Sequence, residues 1–219
     1  MYLHNITRTS MIRSIENFEE NPVISACEVF RTYGFHGSSI SDLVEATKLN
    51  RKILYDHFKN KAGIFNAALD FYIEKEQKIW KDYLCNKPFC FENIESLFCH
   101  VASTMDKRGS LIILVISESF NSPESSVERC HLALNTLKNL IIQNLSGKCT
   151  SSDIQNISEV LTFQFAALSA RAQMGASQDE LLNFCGHLLE GIKLNYYKII
   201  ENYDLENESH ACACQAGVL

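Results

Sequence analysis

Residues 23–68 read VISACEVFRTYGFHGSSISDLVEATKLNRKILYDHFKNKAGIFNAA, and the punctuation of this stretch decides the fold. Asn21-Pro22 reads as an N-cap followed by proline at the first helical position. Val23, Ala26, Cys27, Val29 and Phe30 then recur at helical spacing, and Gly34 ends the run as a C-terminal glycine does. Ser39 opens a second helix, with Asp42 three residues on in capping-box position and an inward face of Ile40, Leu43, Val44 and Ala46. Asn50 caps a third, carrying Leu54 and Phe58, and Thr47-Lys48-Leu49 joins the two. Two short helices about a tight turn, under a longer first helix, make a helix-turn-helix.

Outward from this stretch the pattern stays helical. After Asn60-Lys61 an apolar period runs from Ile64 and Phe65 through Ala68, Leu69, Tyr72, Ile79, Trp80 and Tyr83, and Lys87-Pro88 stops it. Further helices are expected over about 91–106, 109–121, 123–146, 152–174 and 178–203. Ser122-Pro123 and Ser152 serve as starts, Gly175 as a stop, and Ser177 with Glu180 as a capping box. No strand-like alternation of useful length occurs, so the fold class is all-α, about nine helices in an N-terminal helix-turn-helix domain and a helical body. The expected divisions are a flexible arm over 1–20, a helix-turn-helix domain over 21–62, a helical body over 63–203, and a disordered tail over 204–219.

Composition narrows the classes. The chain is 219 residues, 46% hydrophobic, with three prolines and nine glycines, which suits a compact helical protein. No apolar run reaches the ~18–20 residues that span a bilayer, and the N-terminus lacks a signal-peptide core, so a cytoplasmic location is expected. Nine cysteines without an export signal are expected to stay reduced, with Cys27, Cys99 and Cys185 on apolar helix faces. The net charge of −6 is unevenly spread: residues 1–61 hold eight Lys/Arg against seven Asp/Glu. Lys48, Arg51, Lys52, Lys59 and Lys61 cluster with Asp56 alone among them. An acidic body repels DNA except where such a basic element is presented.

Residues 23–68 resemble the DNA-binding domain of the TetR (tetracycline-repressor-like) family. The matching positions are Ala26, Phe30, Gly34, Ser39, Ile40, Leu43, Leu49, Leu54, Tyr55, His57, Phe58, Lys61 and Phe65, and Leu-Tyr-x-His-Phe-x-x-Lys at 54–61 is the most specific part. The third helix is then the recognition helix, held to the core by Leu54 and Phe58. Arg51 and Lys52 lie in its first turn; Arg51 is the candidate for a bidentate guanine contact, worth ~1–3 kcal/mol of discrimination, and Ile53 for a thymine methyl. The resemblance implies that Tyr55 and His57 bond phosphates and that Lys61 clamps the backbone at the start of the fourth helix. Ser39 and Ser41 add phosphate contacts at the second helix's N-terminus, and Arg8 and Arg13 lie on the arm. Two departures stand out: Lys48 occupies a turn position where the family usually has Gly, and Asp56 opposes phosphate.

The resemblance also implies an effector pocket among helices 4 to 7 and a homodimer through the last two long helices, which makes 63–203 the effector-binding and dimerisation domain. Val160, Leu161, Phe163, Phe165, Ala166, Ala167 and Leu168 on one, and Leu181, Leu182, Phe184, Cys185, Leu188, Leu189 and Ile192 on the other, are apolar around more than one face. Trp80, Phe98, Cys99, Met105, Ile113, Ser117 and Phe120 are the candidate pocket residues, suiting a small apolar effector. The expected function is a ligand-responsive transcriptional regulator, a repressor released from a palindromic double-stranded operator by that effector. No GxSxG, P-loop, GxGxxG or HExxH occurs, so no catalytic residue, metal ligand or cofactor is assigned. Alternatives are a thiol- or metal-responsive regulator using Cys27, Cys85, Cys90, Cys99, Cys130 and Cys149 or the tail residues His210, Cys212 and Cys214, and a helical interaction module that has lost DNA binding.

Overall fold

The computed structural model describes residues 22–145 and 150–216, with side chains as far as Leu205. The arm with Asn21, Arg8 and Arg13, Cys149, and the side chains of His210, Cys212 and Cys214 lie outside the described residues. Among the described residues there are nine α-helices and no strand: α1 Pro22–Gly37, α2 Ile40–Thr47, α3 Arg51–Phe58, α4 Lys61–Leu84, α5 Phe91–Thr104, α6 Leu111–Ser117, α7 Glu124–Leu145, α8 Ser151–Gln173 and α9 Gln178–Ala216. A 3-10 turn, Ser119–Asn121, follows α6.

Three boundaries differ from the sequence expectation. The segment expected as one helix over 109–121 divides into α6 and the 3-10 turn. Thr150, not Ser152, caps α8, because its hydroxyl accepts from the Asp153 N–H. Helical backbone continues to Ala216, past the expected end at 203, so the segment assigned to a disordered tail is helical over most of its length.

Contacts divide the chain into two units. Among the described residues, one holds 22–75 together with Leu114–Cys130, and the other holds Glu76–Ile113, 131–145 and 150–216. The N-terminal unit is therefore larger than the expected 21–62, since the first half of α4 and a distant hairpin belong to it.

Its core is Ala26, Cys27, Phe30, Leu43, Leu54, Ile64, Phe65, Ala68 and Leu69, all essentially inaccessible. Phe30 meets Phe65 edge-on at 4.8 Å, a favourable aromatic geometry. Polar groups tie α4 to α7: Arg129 pairs with Asp70, and both Arg129 and Ser126 donate to the Asn66 side-chain oxygen Oδ1. Gly34 breaks α1 at φ 68 and ψ 179, a region open only to glycine, and the Glu118 carboxylate fills the place a Cβ would take.

The second unit buries Trp80, Leu84, Phe91, Ile94, Phe98, Ile141, Leu161, Phe165, Leu168, Leu181 and Cys185. Trp80 stands edge-on to Phe165 at 5.9 Å. Asn144 is buried with its bonds met, donating to the Leu84 and Leu140 carbonyls and accepting from the Cys90 N–H and Asn93. Such a satisfied amide costs little, whereas an apolar replacement would strand its partners.

Candidate nucleic-acid interface

The helix-turn-helix is assembled from capping chemistry. Ser39 and Asp42 form a reciprocal box, the Ser39 hydroxyl accepting from the Asp42 N–H at 3.1 Å and the Asp42 carboxylate from the Ser39 N–H at 2.7 Å. Those bonds hold the Asp42 carboxyl below its ordinary range, with Lys61 adding a smaller pull the same way. Thr47 ends α2 by donating to the Leu43 carbonyl, and Lys48 takes a left-handed conformation at φ 58. The turn thus demands the conformation glycine accepts most cheaply, and Lys48 bears the strain. Asn50 starts α3 by accepting from the Ile53 N–H at 2.9 Å.

α3 is anchored on one side and open on the other. Leu54 is wholly buried and Tyr55 and Phe58 are half-buried, while Arg51, Lys52, Ile53, Asp56 and His57 are exposed. The Arg51 guanidinium lies 5.5 Å from the Tyr55 ring centroid, a cation–π approach that orders both side chains. His57 Nδ1 lies 3.2 Å from the Ile53 carbonyl, which sets the ring's orientation. Ser39 and Ser41 are exposed at the start of α2. Asp56 shares the exposed surface with the basic residues, as the sequence suggested.

Lys61 is more constrained than the sequence implies. Its ammonium donates to the His36 carbonyl at 3.4 Å and lies 4.8 Å from the Phe35 ring centroid. Partial burial pushes its pKa down, and the attraction of Asp42 opposes that only in part. Lys61 therefore fastens the end of α1 to the start of α4. An ammonium has three donors, so this bond leaves capacity for a phosphate.

The join between α3 and α4 contains residues that sequence reasoning missed. Lys59 has φ 69, and the Asn60 N–H donates to the Phe58 carbonyl at 2.8 Å, closing a strained three-residue turn. Asn60 then caps α4 by accepting from the Gly63 N–H at 2.9 Å. Gly63 has the Phe58 carbonyl oxygen where its Cβ would be. The available signal was a glycine in the first turn of a helix, where propensity argues against it.

The candidate effector residues divide. Trp80, Phe98 and Ile113 are buried and Met105 is half-buried, all in the second unit. Cys99 is exposed, correcting its expected place on an apolar face, and so is Ser117. Phe120 is fully exposed at 102%, because the 3-10 turn aims its ring at solvent, so it lines no enclosed wall. Ser117 and Phe120 also belong to the N-terminal unit. Among the described residues, four buried side-chain polar atoms of the second unit, Trp80 Nε1, Ser110 Oγ, Gln164 Oε1 and Arg171 Nε, have no hydrogen-bond partner.

Among the described residues no cluster of His, Cys, Asp and Glu is arranged to hold a metal ion. Among the same residues no helix is long and apolar enough to cross a membrane.

Residues 25–68 match the sequence profile described as bacterial regulatory proteins, tetR family. The HTH-type transcriptional repressor ComR of Escherichia coli (strain K12) is 26% identical over 175 residues, covering 75% of this chain and 83% of that protein. The HTH-type transcriptional repressor BdcR of the same strain is 24% identical over 182 residues, covering 80% of this chain and 90% of that protein. Among solved structures, a TetR transcriptional regulator from Chloroflexus aurantiacus superposes with a TM-score of 0.70 at 21% identity, over 83% of this chain and 96% of that one. A cysteine variant of the TetR family regulator CifR, solved with a 26-base-pair operator DNA, superposes with a TM-score of 0.66 at 21% identity, over 77% and 93%. At these identities the structural likenesses establish the fold.

Proposed function

We propose, from the premise that this chain belongs to the tetR family of bacterial regulatory proteins and is a DNA-binding transcriptional regulator rather than an enzyme, that it works as a homodimeric repressor reading a palindromic operator through α3. One observation carries this reading. α3 is pinned by buried Leu54 and turns Arg51, Lys52, Ile53 and His57 outward together. In a major groove, Arg51 meets a guanine edge and Ile53 a thymine methyl. Tyr55, His57, Lys52, Ser39, Ser41 and Lys61 serve phosphates, which set register without reading sequence.

Two such helices must stand about one DNA turn (~34 Å) apart to read a palindrome, which calls for a dimer. Exposed apolar side chains on the last two helices support one: Val160 and Phe163 on α8 with Met174 just past its end, and Leu182 and Leu188 on α9. Their inward neighbours Leu161, Phe165, Leu168, Leu181, Cys185 and Leu189 already fill the chain's own core. Apolar side chains on both faces suit a helix that also meets a partner.

The second unit is the place for an effector, a small apolar molecule received near Trp80, Phe98, Met105 and Ile113, acting where the chromosome is, in the cytoplasm. It must prefer the DNA-incompetent state to release the operator. The testing experiment is fluorescence-anisotropy titration of the full chain on DNA flanking its own gene, against scrambled DNA of equal length. Preference for the flanking DNA supports the reading. Equal affinity for both sinks it and favours a module that has lost sequence-specific DNA binding.

A further inference from the structure

α5 packs antiparallel on α9 in a register that three contacts define. The Tyr197 hydroxyl donates to Glu92 at 3.3 Å, Lys193 to Glu95 at 2.6 Å, and the Gln178 amide to the Ser103 carbonyl at 2.5 Å. Cys99 lies one turn beyond Glu95, so it falls opposite the turn of α9 that precedes Lys193 and holds Leu189 and Cys185. The two cysteines also feel each other electrostatically: burial pushes the Cys185 thiol up to about 12, and Cys99 acts in the same direction. Cys99 is exposed and Cys185 is fully buried.

A third helix completes the cluster. Gln164 of α8 is 3% exposed, and its amide donates to the Cys185 sulfur and carbonyl, each at 3.4 Å. Its carbonyl oxygen has no partner among the described residues. Buried amide oxygens are nearly always bonded, so this acceptor beside a thiol calls for an occupant.

We propose that Cys99 and Cys185 are an oxidant-sensitive thiol pair, in which a peroxide oxidises accessible Cys99 and buried Cys185 closes it to a disulfide. In the first step the Cys99 sulfur takes one oxygen from hydrogen peroxide, giving the sulfenic acid and one water. In the second the Cys185 sulfur displaces that oxygen; its thiol proton leaves with the hydroxyl as a second water, and the S–S bond forms. The peroxide accepts the two electrons that the two thiols give up. The unpartnered Gln164 carbonyl is the acceptor for the sulfenic O–H. In the reduced protein burial keeps Cys185 a neutral thiol out of reach of peroxide, so the accessible Cys99 is oxidised first and Cys185 reacts only with the sulfenic acid brought beside it.

The consequence falls on α8 and α9. Closing the disulfide draws the Cys185 sulfur off Gln164 and pulls that turn of α9 toward α5, so α8 and α9 must repack; loss of the sulfur alone, as in Cys185→Ala, leaves the Gln164 amide its bond to the Cys185 carbonyl. These helices carry the exposed apolar side chains assigned above to the dimer, so oxidation alters operator binding. That last step rests on the DNA-binding reading; the thiol chemistry does not.

The test treats the full reduced chain with hydrogen peroxide, blocks remaining thiols and maps peptides without reduction. A Cys99–Cys185 linked peptide, lighter than the reduced pair by two hydrogens, is expected. Operator affinity should fall about tenfold on oxidation and return with dithiothreitol. Cys99→Ser, and independently Cys185→Ala, should bind operator like the reduced protein and ignore peroxide. The proposal is overturned if exposed Cys85 is oxidised while no linked peptide forms. It is equally overturned if the link forms without changing affinity, or if Cys99→Ser responds as the parent does. Failure of the reduced protein to bind DNA at all would sink the DNA-binding reading instead, and the linked peptide would still be scored.

Discussion

The carbonyl oxygen of Phe58, at the end of α3, occupies the position that a Cβ on Gly63 of α4 would need. α3 is thereby seated directly on the first turn of α4, with the strained Lys59 turn between them. Neither helix can shift without the other. Replacing Gly63 with Ala should drive the two apart and cost roughly 1–3 kcal/mol, as overpacking does. For a chain of this size that lowers the melting temperature by roughly 2–12 °C. An unchanged Tm would show that the α3–α4 join is looser than described.

Lys48 tests the other end of the turn. Its φ of 58 imposes a left-handed conformation on a residue with a Cβ. Lys48→Gly should stabilise the fold by about 1 kcal/mol, read as a higher urea midpoint at unchanged slope. A lower midpoint would mean that the lysine side chain contributes more than its backbone costs.

Arg51 and Lys61 should fail differently. Arg51→Ala should cost about 1–3 kcal/mol on the preferred operator and little on scrambled DNA. Lys61→Ala should weaken both about equally, reduce the salt slope by about 1, and also lower Tm, because the His36 carbonyl loses its partner. If Arg51→Ala weakened both DNAs alike, α3 would not be the reading element.

Acid should loosen the helix-turn-helix in a defined direction. The Ser39 bonds hold Asp42 below its ordinary 3.8, so the carboxylate's contribution is present above that value and is lost as pH falls through the lower folded one. Glu180 is depressed by Ser177 in the same way at the start of α9. Melting temperatures measured from about pH 7 down to about pH 3 should therefore fall less steeply for Asp42→Ala than for the parent. Parallel curves would remove the capping box as a source of acid sensitivity.

The apolar stripe of α8 gives the proposed dimer its test. Phe163 is 74% exposed within one chain, so Phe163→Asp should leave the fold intact. Light scattering should show a shift from twice the 24.8 kDa chain mass to a single chain. A parent protein that is already monomeric would exclude the proposed interface.

What the sequence determined alone was local. The Ser39–Asp42 box, the Asn50 cap, the Ser177–Glu180 box, the all-helical class and the outward basic face of α3 follow from side-chain bonds to nearby backbone and from apolar period, which reach only three or four residues. Even the left-handed strain at Lys48 was legible, because the family usually has Gly there. Tertiary structure decided what depends on residues far apart in the chain. Glu118 fills the space over Gly34, Arg129 holds Asn66 and Asp70, and Lys61 reaches back to His36. The exposure of Phe120 and of Cys99 was settled the same way. Periodicity says that a residue has an apolar or polar character, but which neighbour covers it depends on helix packing that no short window of sequence contains.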